Sequence, residues 1–141
     1  MRKIKFRAWI GHKKEMYSWY QLKAQGDYLA QLLTGVYQGS VIMQYTGLKD
    51  KNGVEIYEND ILNYSNIDNH HSEFSHNYVV EFCSQDFGEH SYQQTRGWNA
   101  TPMHRFINEK LTERGNGIHS LFGTHKIEVI GNIHENKDLL K

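Results

Sequence analysis

The stretch that most restricts how this chain can fold is Asp50-Lys51-Asn52-Gly53, set between Met43-Gln44-Tyr45-Thr46-Gly47 and Ile56-Tyr57. Asp bonds its own downstream backbone, and Asn and Gly tolerate positive φ. Placed between two runs of strand formers, the tetrapeptide predicts a tight reversal. Tyr45 and Tyr57 would bracket it and pack across it. Glu58-Asn59-Asp60 then leads into Ile61-Leu62. Asn is the best non-glycine residue at a left-handed position, so a second reversal or bulge is expected at Asn59 and Asp60. A calcium loop is the competing reading, and its spacing fails. Counted from Asp50, Gly53 falls fourth and Ile61 twelfth, where the pattern needs glycine sixth and an acid twelfth. The run reads as a folding device.

The chain opens on a second clear pattern. Ile4, Phe6, Ala8 and Ile10 alternate with Lys3, Lys5, Arg7 and Trp9, which predicts a strand with one apolar and one basic face. Met16 to Tyr20 is rich in strand formers and suggests the partner of a hairpin. Tyr28 to Leu33 is too short to assign to helix or strand. Gly35 to Tyr45 has strand composition, Tyr78 to Cys83 reads as a buried strand, and Lys126 to Ile133 as a closing strand. Asn136 is placed to cap a last turn that folds Leu139 and Leu140 onto the core. Ser65 to Asn77 is polar and predicts an exposed loop, and Gln85 to Asn99 is also loop-like. One amphipathic helix is expected after Thr101 as cap and Pro102 as first residue. Its apolar face would be Met103, Phe106, Ile107 and Leu111, and Gly115-Asn116-Gly117 would end it.

These elements predict a single α+β domain over residues 1–141, mostly antiparallel β, with one helix. A single cysteine, Cys83, excludes an internal disulfide framework and any cysteine-rich zinc site. No apolar run approaches the ~20 residues that span a bilayer, and the N-terminus lacks the apolar core of a leader. A cytoplasmic protein without membrane contact is expected.

Three stretches carry a family resemblance: Ile4 to Trp9 (IKFRAW), Met43 to Leu62 (MQYTGLKDKNGVEIYENDIL), and Glu128 to Asn136 (EVIGNIHEN) followed by Leu139-Leu140. They resemble the YopX family of small bacteriophage and prophage proteins. The resemblance implies a phage or prophage origin, a bacterial host cytoplasm and a β-rich fold with a small barrel-like, SH3-like sheet core. It brings no catalytic residues. The motif positions, read as mainly structural, are Gln44, Tyr45, Thr46, Gly47, Asp50, Asn52, Gly53, Tyr57, Asn59, Asp60, Gly131 and Asn132. The family pattern has Gly where this chain has Asn59, and Tyr where it has His134. The first exchange keeps a residue that tolerates positive φ; the second keeps a flat ring and adds a titratable group.

The chemistry on offer is sparse. His70, His71 and His76 cluster beside Asp68 and Glu73 in the polar stretch, without the strand or helix spacing that would converge them on a metal. Cys83 follows an apolar run and reads as a small core residue. No phosphate-cradling or nucleophile-elbow motif occurs in the sequence. No cofactor, metal site or catalytic constellation is expected. Sixteen basic residues balance sixteen acidic ones, which argues against strong nonspecific attraction to nucleic acid. Lys3, Lys5, Arg7 and Trp9 are the candidate nucleic-acid contact, with phosphates meeting the cations and a base stacking on the ring. Alternatively, the same charges protect an edge strand from mispairing, and the sequence favours this second reading. The expected function is a non-enzymatic phage or prophage accessory protein acting through protein contacts, with a protein partner or as a homo-oligomer. A nucleic-acid-binding module is the alternative.

Overall fold

A computed structural model describes residues 3–67, 73–83, 97–102, 119–120 and 127–140. The chain order is β1 (Phe6–Ile10), β2 (Glu15–Tyr17), α1 (Trp19–Ala24), α2 (Tyr28–Leu33), β3 (Val41–Lys49), β4 (Glu55–Tyr57), β5 (Asp60–Ile67), β6 (Glu73–Cys83), β7 (Gly97–Pro102), β8 (His119–Ser120) and β9 (Ile127–Asn132), then a 3-10 turn at Lys137–Leu140. One sheet has the order β2-β1-β3-β4 and the other β8-β7-β6-β5-β9. All strand pairs are antiparallel. The result is an α+β fold, mostly antiparallel, with a curled half-barrel sheet and two short helices.

The alternation read from the first strand sets the layers. Ala8 and Ile10 are fully buried and pack with Tyr17, Leu22, Tyr28 and Leu32, so α1 and α2 cover the apolar face of β1. Ser18 caps α1: Gln21 N–H donates to the Ser18 hydroxyl, and Ser18 N–H donates to the Gln21 side chain. That reciprocal cap ends β2 at Tyr17 and turns Trp19 and Tyr20, expected in a strand, into helix. Tyr28 to Leu33 resolves as helix. Thr101 and Pro102, expected to open a helix, lie instead in β7, paired with Val79 and Tyr78; the expected helical face from Met103 to Leu111 lies outside the described residues.

The expected loop from Ser65 to Asn77 is largely a hairpin. Ser65 to Ile67 belong to β5 and Glu73 to Asn77 to β6, in continuous register from Ile61↔Val79 to Ile67↔Glu73. Polar composition misled here because a ladder needs only backbone donors and acceptors, and such a hairpin can extend past the core. Of the metal candidates, His76 pairs through its backbone with Tyr64 in that ladder, while Asp68, His70 and His71 lie outside the described residues. Val79 and Val80 in β6 are fully buried, as the apolar run predicted.

Two smaller cores flank the five-stranded sheet. Ile56, Leu62, Tyr78, Val80 and Ile127 form one. Ile61 and Val79 form the other, with Ile133, Leu139 and Leu140 folded onto them from the tail.

Candidate functional site

The polar residues of the motif gather where the two sheets and the tail meet. Asp50 is the first anchor. Gly53 N–H donates to Asp50 C=O (3.0 Å) and Asp50 N–H to Val54 C=O (2.9 Å), with Gly53 alone of the tetrapeptide at positive φ (83°). The Asp50 side chain fastens the turn. Its Oδ1 accepts from Asn52 N–H (2.8 Å) and Val54 N–H (2.9 Å), while its Oδ2 accepts from Val129 N–H in β9 (3.0 Å). Lys51 N–H donates to Ile127 C=O (3.0 Å). Burial alone raises the Asp50 carboxyl, but the donors of Val129, Val54 and Asn52 together outweigh it and hold it below its ordinary value.

Upstream of the turn, β3 carries a bulge. The Tyr45↔Tyr57 pairing slips before Lys49↔Glu55, with Gly47 at φ 91°. The Thr46 hydroxyl donates to Ile56 C=O (2.8 Å) and accepts from Leu48 N–H (3.2 Å), serving backbone groups that the bulge frees. Tyr45 and Tyr57 pack across the strands at 5.4 Å between ring centroids, as expected.

Asp60 is the second anchor. Asn59 takes the left-handed conformation (φ 65°). Its N–H donates to Val80 C=O (2.9 Å) and its C=O accepts from Ile133 N–H (3.1 Å). Glu58 N–H donates to Gln44 C=O (2.9 Å), so this reversal touches both sheets and the tail. Asp60 points inward, with its side chain 1% exposed. Oδ2 accepts from Tyr57 N–H (2.7 Å), and Oδ1 accepts from Arg7 Nη2 (2.6 Å). Burial holds the Asp60 carboxyl above its ordinary range, and Arg7 pulls it part of the way back. The Arg7 guanidinium also lies over the Tyr57 ring, 4.8 Å from its centroid. Burial, and then the phenol's hydrogen bond to Glu55 (2.9 Å), push Tyr57 far above the usual phenol range.

The basic face of β1 therefore meets protein. β1 lies between β2 and β3, so it is an interior strand and the protected-edge reading is corrected. Lys5 forms an ion pair with Glu55 and sits over Tyr45. Arg7 is bound to Asp60. Trp9 stacks on His134 at 5.7 Å between centroids and 13° between planes. Lys3 precedes the strand and is exposed. The expectation that these side chains project together from one free face fails because Lys5, Arg7 and Trp9 meet Glu55 of β4, Asp60 of β5 and His134 of the tail; Met43, opposite Arg7 in β3, is fully buried.

Asn132 is the third anchor. Its Oδ1 accepts from His134 N–H and Glu135 N–H, both at 3.0 Å, and its N–H donates to Asn136 Oδ1 (3.1 Å). Gly131 admits that approach, because a Cβ there would collide with the Asn136 side chain. Asn136 thus ties the tail to β9 and leads into the last turn.

A family model described as YopX protein matches residues 5–141. The chain belongs to the YopX family. No curated protein matches it. Among solved structures it is similar to the crystal structure of protein EF1440 from Enterococcus faecalis, at 23% identity over 100% of both chains and a TM-score of 0.52. At that identity the likeness extends to the fold alone.

Seen in this YopX chain, the motif residues have assigned partners. Asp50, Asp60 and Asn132 each accept backbone N–H groups from a turn, and the first two also join distant segments. The pairing of Arg7 with Asp60 and the stack of Trp9 on His134 were not read from the sequence. One signal was available for the first: a carboxylate that opens an apolar strand, followed directly by Ile61-Leu62, needs a cation once buried. Among the described residues, no three His, Cys, Asp or Glu side chains are grouped to hold a metal ion, and no helix is long and apolar enough to cross a membrane.

Proposed function

We propose that this protein is a non-enzymatic accessory protein of a bacteriophage or prophage that acts in the host cytoplasm through protein contacts, with a partner or with further copies of itself. The observation that carries this reading is a set of apolar side chains left on the helical segment. Tyr20, Leu33 and Val36 are 78%, 68% and 62% exposed, on α1, at the end of α2 and just beyond it. Large apolar and aromatic groups held outward by a rigid element are the raw material of an interface. The polar cluster supports the same reading from the other side. Its carboxylates and cations hold segments of this chain together, and reacting groups would have to be released from those bonds.

The nucleic-acid alternative draws less support, because Lys5 and Arg7 already face Glu55 and Asp60 and Trp9 already carries a stacked ring. The test is the triple change Tyr20→Ser, Leu33→Ser, Val36→Ser, compared with the wild type by sedimentation velocity and by cross-linking in cells carrying the phage. Loss of the assembly or cross-link with an unchanged unfolding transition supports the proposal. Unchanged contacts in the triple variant refute it.

A further inference from the structure

The C-terminal tail is held by hydrogen bonds at Asn59, Asn132 and Asn136 and by one aromatic contact, made by an imidazole. After β9 the chain turns at His134 and Glu135 and ends with Leu139 and Leu140 covering Ile61 and Val79. The His134 ring lies flat on the Trp9 indole. Its Nε2 is sealed from solvent and has no hydrogen-bond partner among the described residues. A neutral imidazole that carries its proton on Nδ1 tolerates this at the loss of one hydrogen bond, whereas the imidazolium would bury a second N–H without an acceptor. The charged groups facing the ring are Arg7 from β1, and Lys137 and Glu135 from its own segment. Arg7 in turn is held by Asp60.

We propose that His134 is an acid-sensitive latch: neutral, it clamps the tail against β1; protonated, it releases residues 133–140 and bares the Ile61 and Val79 face. Burial first, then Arg7 and Lys137, hold the docked ring below its ordinary value of 6.5. The released tail therefore binds a proton more readily than the docked one. Docking is at full strength above the released value and weakens as pH falls from there, levelling off once the docked ring itself titrates. The opening constant rises by up to tenfold for each unit that separates the two values. Asp60 acts with the opposite sign on the fold as a whole: burial raises its carboxyl, so its protonation favours the folded state.

The experiment is hydrogen exchange on the full chain between about pH 7.5 and about pH 5.5, the range over which histidine changes charge. Rates for the tail peptide are divided by those of the same peptide free in solution. The expected result is a tail opening that grows at least about fivefold across this range while β5 is unchanged, and a flat profile in His134→Phe, which keeps a ring on Trp9. A flat wild-type profile, or an equally steep one in the variant, overturns the latch. Should His134→Phe not fold, the wild-type imidazole resonances decide. A midpoint below 6.5 that tracks tail opening supports the latch, and one at or above it overturns it.

Discussion

Replacing Arg7 by Met should be among the most damaging single changes in this protein. Arg7 is the side-chain partner of a carboxylate that is 1% exposed, at 2.6 Å. Once it is gone, Asp60 keeps, among the described residues, only Tyr57 N–H, and its buried charge is left without a cation beside the buried Ile61. Removing one member of a buried pair costs about 3–5 kcal/mol, against ~0–1 kcal/mol for an exposed pair. The Arg7 side chain is itself 15% exposed, so water relieves part of the strain and the lower end, about 3 kcal/mol, is expected. The loss should depend on pH. Because the folded-state carboxyl is already raised above 3.8, the folded state binds the proton more tightly than the unfolded one. The Asp60 contribution therefore falls as pH rises through that window and is at its lowest above it. Without Arg7 the window extends upward, so the damage is greatest at neutral pH and shrinks in acid. Adding Asp60→Asn to Arg7→Met removes the stranded charge and keeps an acceptor for Tyr57 N–H, so the double variant should be more stable than Arg7→Met alone. Urea unfolding followed by tryptophan fluorescence reads Arg7→Met, Asp60→Asn and the double variant. A loss below ~1 kcal/mol for Arg7→Met, or additive losses in the double variant, would refute the buried-pair reasoning.

Other outcomes follow from the same contacts. Asp50→Ala should cost about 2–4 kcal/mol by stranding three backbone N–H groups, and amide exchange should rise together at Val54 and Val129. Because the Asp50 carboxyl is held below its ordinary 3.8, its contribution is complete above that value and is lost as pH falls through the lower folded value; an acid titration of Asp50→Asn against the wild type checks it. Asn59→Ala should cost about 1–2 kcal/mol at its positive φ, whereas Asn59→Gly should be close to neutral. Gly131→Ala should dislodge Asn136 and the tail at a cost of ~1–3 kcal/mol, seen as faster proteolysis near the C-terminus.

The parts of the fold that local rules control were legible in the sequence. Asp50 to Gly53 announced its turn, Asn59 its left-handed backbone, and the alternation from Phe6 to Ile10 its buried face. Asn136 marked the last turn that folds Leu139 and Leu140 onto the core. What was missed depended on distant partners. The alternation gave β1 two faces but could not say that the basic one is occupied, since its partners come from β4, β5 and a tail at the opposite end of the chain. Lys5 and Arg7 therefore read as free cations until Glu55 and Asp60 were found beside them. Ser65 to Asn77 read as a loop because composition reports burial better than it reports backbone pairing. The strand propensity of Met16 to Tyr20 lost in part to the cap at Ser18: Met16 and Tyr17 stayed in β2, while Trp19 and Tyr20 passed into α1.

The central claim is that the YopX motif holds the fold while contacts are made elsewhere, on the α1 and α2 segment. The most direct test is quantitative cross-linking, in cells that express each protein, of the wild type, Asp50→Asn and the Tyr20→Ser, Leu33→Ser, Val36→Ser triple variant, each at a temperature where it is shown to be folded. The account predicts that Asp50→Asn is less stable yet keeps the wild-type cross-links, and that the triple variant keeps its stability and loses them. A folded Asp50→Asn protein that loses its contacts while the triple variant keeps them would contradict it.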